Sequence, residues 1–151
     1  MLFDVLSDLV KIDDVLFILK NNAAISEIKS NSLNIRQKEN WITIGENDGP
    51  AHMHINSESI KSAKFVQEQK PERISFSIIF YDEAGDRILA AFFTKMYDES
   101  KKLISERKND FDQLNQKYAS LIQFYKKSLS EKDKEKKCYY SDFFCVLSFS
   151  D

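Results

Sequence analysis

The sequence predicts an α+β domain: a largely antiparallel β-sheet followed by a long C-terminal amphipathic helix. Three observations carry this expectation. The run ISFSIIFYDEAGDRILAAFF puts Ile74, Phe76, Ile78 and Phe80 on one side and Ser75 and Ser77 on the other, with Gly85 in the turn before RILAAFF returns. That is the period-two alternation and the turn chemistry of a β-hairpin. Beyond Thr94 the period lengthens. Leu103, Ile104, Phe111, Leu114, Tyr118, Leu121, Ile122 and Tyr125 recur at threes and fours and make one apolar stripe, as a helix packed on a sheet requires. With only 3 Gly and 2 Pro in 151 residues, tight turns are few, which favours long elements over a many-stranded sandwich.

Taken in order, residues 2–10 fit either a short amphipathic helix or a strand, because periodicity is ambiguous over so few positions. VLFIL, residues 15–19, follows Asp13 and Asp14 and reads as a buried strand. Residues 20–40 are polar, with Ile25, Ile28, Leu33 and Ile35 as intermittent anchors, and are read as a helical turn or two and then an irregular strand. WITI is a strand, GENDGP a turn, and AHMHI the returning strand. SESIKSAKFVQEQ supplies a turn and a strand around Ala63–Gln67, and KPER is the turn before the hairpin. Asp98 or Ser100 is placed to cap the long helix. The domain is expected to run over residues 1–129, with a charged linker or helix end at 130–137 and an aromatic tail at 138–151. That tail, CYYSDFFCVLSFSD, is too apolar to be left in water, and is read as a strand added to this sheet or to another subunit's, with packing along the helix as the alternative.

Composition limits function. The 22 basic and 24 acidic residues nearly balance, so the basic excess of a nucleic-acid footprint is missing. Asp4, Asp8, Lys11, Asp13 and Asp14 break the apolar N-terminal run, and no uninterrupted stretch is long enough for a membrane-spanning helix. Cys138 and Cys145 form neither a CxxC pair nor a zinc knuckle, and no secretory signal precedes them. A reducing, cytoplasmic setting with free thiols is expected. There is no GxSxG, GxGxxG or P-loop spacing, and the paired acids lie at turns or helix starts, where they serve the backbone.

The chemistry concentrates in WITIGENDGPAHMHI, residues 41–55, which holds the single Trp and both His. On a strand, His52 and His54 project from the same face, with Met53 opposite. Imidazole pairs suit metal or haem-iron ligation. A non-haem site would need a third ligand, for which only carboxylates such as Glu46, Asp48 or Glu58 are at hand. The bland alternative is a pair of partly exposed strand histidines without function. Trp41, Phe65, Phe76, Phe80, Phe92 and Phe93 are numerous enough to line a pocket for a flat apolar ligand, although Phe at period two is ordinarily core. Lys64, Lys70 and Arg73 are candidate partners for ligand carboxylates, or solvated turn charges.

Residues 41–93 resemble the core of the HemS/ChuX-type haem-utilisation family, and in particular its short, single-module ChuX/HutX-like members. The resembling features are the strand led by Trp41, the turn with Gly45 and Gly49, and His54-Ile55. An AKFV strand follows, and then Ser77, Ile78 and Phe80 with Asp82 and Gly85 in the turn. The KKLISERKNDFDQL helix is similar to the one that closes the short members. The resemblance implies a module whose sheet cradles haem b, commonly as a homodimer, in the cytoplasm, with neither nucleic acid nor membrane as partner. His54 matches a histidine implicated in haem contact there, while His52 has no counterpart. Lys11 falls where those members carry a second histidine on an earlier strand. The expected cofactor-binding set is therefore His54, His52, Lys11, Trp41, Phe65, Phe76 and Arg73, with His54 toward the iron. Haem binding and trafficking is the leading expectation, and no catalytic residues are assigned. An interaction module that has lost haem is the alternative, and a haem-degrading enzyme a further one.

Overall fold

The computed structural model describes residues 1–118 and 121–124. The chain opens with helix α1 (Leu2–Val10), in which Leu2, Val5, Leu6, Leu9 and Val10 are buried. Their spacing of three and four decides the ambiguous N-terminal segment for helix, because only one side of it meets the core. Asp14 then takes a left-handed φ of 59°, its N–H donating to Asn31 Oδ1 at 3.0 Å, and turns the chain into the first strand.

Among the described residues nine strands follow in two sheets: β1 (Val15–Lys20), β2 (Ile25–Lys29), β3 (Ile35–Lys38), β4 (Trp41–Gly45), β5 (His52–Asn56), β6 (Ser62–Gln69), β7 (Ile74–Tyr81), β8 (Arg87–Phe93) and β9 (Leu121–Gln123), with helix α2 (Ser105–Tyr118) between the last two. The larger sheet has the order β2-β1-β8-β7-β6-β9 and the smaller the order β3-β4-β5. Every pairing is antiparallel. The α+β class and the β7–β8 hairpin are as the alternation requires.

Two segments differ from expectation. Residues 20–40 contain no helical turn. Asn21 Oδ1 accepts the N–H groups of Ala23 and Ala24 at 2.8 and 2.9 Å, closing a β1–β2 hairpin. β2 is an edge strand on which Ile28 alone is buried, so the alternation that marks a strand is too weak to read there. The second difference is α2, which is described over Ser105–Tyr118. Asp98 closes a loop instead of capping a helix, its Oδ1 accepting from the Ser100 and Lys102 N–H groups at 2.8 and 2.9 Å. Leu121 and Ile122 lie in β9, paired with Lys64 and Ala63 of β6, so the apolar stripe belongs to two elements. The charged linker and the 138–151 tail, with both cysteines, lie outside the described residues.

Opposed residues in the register share a face, which divides the larger sheet cleanly. Phe17, Phe65, Phe76, Ile78, Phe80, Leu89, Ala91 and Phe93 lie on the inner face and join one buried cluster with α1, Ile42, Ile44, Met53 and Ile55 of the smaller sheet, and Phe111 and Leu114 of α2. Phe111 is the hub, meeting Phe65, Phe76 and Phe93 edge-on at centroid distances of 5.6, 5.3 and 5.3 Å. The outer face carries Leu16, Ile18, Val66, Ile79, Ala90 and Phe92, of which none belongs to that cluster. Among the described residues no helix is long and apolar enough to cross a membrane.

Candidate functional site

The smaller sheet offers the core and the solvent two different surfaces. Ile42, Ile44, Met53 and Ile55 turn inward and are at most 6% exposed. Trp41, Thr43, His52, His54 and Asn56 therefore lie on the opposite face, joined there by Arg36 and Lys38, which stand opposite Thr43 and Trp41 in the register. His52 and His54 are both exposed, their ring centroids 5.2 Å apart and inclined at 65°.

Two contacts hold this face in shape. Gly45, at φ +86°, is opposite His52; a β-carbon there would stand 2.4 Å from the Ala51 carbonyl oxygen and 3.0 Å from the His52 Cα. Only glycine lets the strands approach so closely at that angle. Arg36 clasps the turn beyond, donating from Nη1 to the Gly45 carbonyl oxygen at 2.9 Å and to Glu46 Oε2 at 3.1 Å, and from Nη2 to Asn47 Oδ1 at 2.8 Å.

Thr43 Oγ1 lies 2.9 Å from His54 Nδ1. A hydrogen bond at Nδ1 orients the ring and leaves Nε2 as the nitrogen whose lone pair can meet a metal when the proton sits on Nδ1. Thr43 itself is 8% exposed, so its hydroxyl is a buried anchor beneath a surface ring. The arrangement is that of one anchored imidazole with a neighbour, and not of a chelating cage. Among the described residues no group of three or more His, Cys, Asp or Glu is placed to hold a metal ion. A haem iron, whose macrocycle already supplies four ligands, needs only one imidazole from the protein, so the donor set fits haem better than a bare cation.

The remaining sequence candidates divide. Trp41 is on the His54 face and 47% exposed, available to cover a flat ligand. Phe65 and Phe76 are not beside it: they sit on the inner face of the larger sheet, 8% and 1% exposed, packed on Phe111. Phe65 and Phe76 therefore do not line a pocket around His54, and among the described residues Trp41 is the sequence-predicted aromatic on its face. Lys11 is not on a strand but is the C-cap of α1, with its ammonium 3.6 Å from Asp8. Arg73 lies in the β6–β7 turn, lining a cleft with Tyr97 and Lys101. Thr43, Lys38 and Arg36 were missed. The HxH spacing combined with the GENDGP turn gives the β4–β5 register, from which Thr43 follows as the cross-strand neighbour of His54.

Comparison with known proteins agrees with this architecture. One protein-family model matches residues 3–124. No curated protein matches the sequence significantly. Among solved structures, the chain is similar to the haem-binding protein ChuX, at 17% identity and a TM-score of 0.64, over 76% of this chain and 70% of that one. It is also similar to holo-PhuS, a haem-binding protein from Pseudomonas aeruginosa, at 13% identity and a TM-score of 0.60, over 74% of this chain and 31% of PhuS. A third is ChuS, an E. coli haem oxygenase, at 13% identity and a TM-score of 0.58, over 75% of this chain and 33% of ChuS. The chain thus spans most of ChuX but about a third of PhuS and ChuS. The chain shares its fold with ChuX, PhuS and ChuS.

Proposed function

We propose that the chain binds haem b on the outer face of the β3-β4-β5 sheet, with His54 as the iron ligand, and that it carries haem or hands it on without degrading it. The observation that supports this most directly is the exposed His54 ring, anchored through Nδ1 on Thr43. Trp41 would cover part of the macrocycle, and Lys38, on the same face, would meet a propionate. Arg36 is engaged by Glu46 and Asn47 and would serve the scaffold instead. His52 would act as a neighbour. The haem-binding descriptions of ChuX and PhuS support the ligand class. A bound haem would supply the redox-active iron; what this chain does is orient the ligand imidazole and screen one side of the ring from water.

The working unit in this reading is a cytoplasmic homodimer. Leu16, Ile18, Val66 and Phe92 on the outer face of the larger sheet are only half-buried, an apolar surface that a second copy would cover. Titration of haemin into the purified chain tests the proposal. A saturable Soret shift is expected near about one haem per chain, weakened tenfold or more in His54→Ala and little changed in His52→Ala. Absence of the shift, with dimer mass intact by light scattering, would favour an interaction module of the same fold. Loss of the Soret band under a reductant would favour the oxygenase chemistry described for ChuS.

A further inference from the structure

Arg73, left unused by the haem reading, opens onto a cleft of about 840 Å³ between the β6–β7 turn and the loop that leads to α2. The turn contributes Lys70, Glu72 and Arg73, and the loop contributes Tyr97, Asp98 and Lys101. Three cations thus line the cleft against two acids, in a chain whose net charge is -2.

Neither acid neutralises Arg73. Asp98 Oδ1 is engaged by the Ser100 and Lys102 N–H groups. Glu72 meets Lys101 only at 3.7 Å, with both side chains at least 80% exposed, where water screens the pair. Glu68, beyond the lining, takes Lys70 at 2.6 Å. The Arg73 guanidinium has no hydrogen bond or ion pair among the described residues.

The walls are nevertheless fixed. The Tyr97 hydroxyl accepts the Ile74 N–H and donates to the Ile74 carbonyl oxygen, each at 2.9 Å, tying the loop to the first residue of β7. The Lys70 N–H donates to the Arg73 carbonyl oxygen at 2.8 Å, and the Lys101 N–H to that of Asp98 at 3.0 Å. Both cation-bearing segments are therefore held by backbone bonds before any ligand arrives.

From this geometry we infer that the cleft between the β6–β7 turn and the 97–102 loop binds a phosphate ester, with Arg73 pairing to two phosphate oxygens and Lys101 closing from the opposite wall. A guanidinium presents parallel N–H donors that match phosphate oxygens, which a lone ammonium cannot do. The volume is that of a small-molecule site and admits a mononucleotide. The inference is independent of the haem reading, because its residues lie outside the β3-β4-β5 sheet.

The test is a ¹H–¹⁵N titration of the full chain with AMP and, separately, with inorganic phosphate. Saturable shifts at residues 70–74 and 97–102 are expected with both, at concentrations below about 10 mM. Arg73→Gln should weaken both by about tenfold, Arg73→Lys should restore only part of the loss, and His54→Ala should have no effect. Failure to saturate, or an Arg73→Gln chain that binds as the wild type does, overturns the inference. So does binding of AMP without binding of phosphate, since recognition would then rest on the nucleoside.

Discussion

Replacing Phe111 by Ala removes the residue on which the inner face of the sheet and α2 meet. Its side chain is 0% exposed and touches three rings edge-on, from β6, β7 and β8. Truncating a buried Phe to Ala costs about 3–5 kcal/mol through lost transfer energy and the cavity left behind. The upper half of that range is expected here. Each edge-to-face pair adds roughly 0.5–1.5 kcal/mol beyond burial, and three are lost together. For a chain of this size, about 4 kcal/mol corresponds to a fall in Tm of roughly 8–16 °C. Far-UV dichroism in a thermal or urea scan measures it, whereas Trp41 fluorescence is a poor probe because that ring is already 47% exposed. Phe111→Leu separates the two contributions: it keeps most of the volume, loses the three ring contacts, and should cost about 1.5–3 kcal/mol, less than the Ala variant. Since Leu114 is the other buried residue of α2, the helix should loosen before the sheet does in Phe111→Ala, visible as early hydrogen exchange in residues 105–118. A Phe111→Ala chain within about 1 kcal/mol of the wild type, or a Leu variant as damaged as the Ala variant, would refute the account of Phe111 as the hub.

Two further outcomes follow from the contacts described. Thr43→Val, which keeps the shape and removes the hydroxyl at His54 Nδ1, should lower haem affinity by about 10–100-fold in a Soret titration while the fold is retained; an unchanged affinity would remove Thr43 from the site. Asp8 joins α1 to α2, its Oδ2 accepting from Lys117 Nζ at 2.6 Å and from the Tyr118 hydroxyl at 2.7 Å. Burial pushes its carboxyl up, but the hydrogen bonds from Lys117 and Tyr118 and the charges of Lys117 and Lys11 outweigh this and hold it below the usual value. A depressed folded-state pKa contributes stability that is present above the unfolded value near about 3.9 and is lost as pH falls through the lower folded value. Asp8→Asn should therefore lower the urea midpoint at neutral pH and lose that difference in acid; an equal difference at both pH values would contradict the linkage.

How much was legible in the sequence depended on whether a segment had one buried face. The β7–β8 hairpin could be read because its inner residues, from Phe76 to Phe93, alternate against a single core. The β4–β5 hairpin could be read because the GENDGP turn brackets two short strands of opposite-facing character. β2 could not: as an edge strand it buries one residue, and Ile25 is 59% exposed, so sparse apolar positions imitated a helical turn, while β3, which buries none, was legible only as an irregular strand. The overrun of α2 had a different cause. Leu121 and Ile122 stay in phase with Leu114 and Tyr118, and only the unpaired edge of β6 decides that they form a strand. At the site, the strand face of His52 and His54 follows from period two alone. The separation of Phe65 and Phe76 from it does not, because which of two sheets a strand joins is a property of long-range pairing.

The Arg36 clasp has a consequence for how this surface can fail. Because side chains alternate, sliding β5 by one position along β4 would send Met53 and Ile55 into water and drive both imidazoles into the hydrocarbon interior. There is no intermediate setting between these two. By holding Gly45, Glu46 and Asn47 together at the hairpin's end, one guanidinium makes the mis-set alternative begin with the loss of three hydrogen bonds. The two histidines thus point outward because Met53 and Ile55 are buried, while a residue that touches neither imidazole holds the turn before them. Errors on this surface should be all-or-none: a chain presents the pair or swallows it.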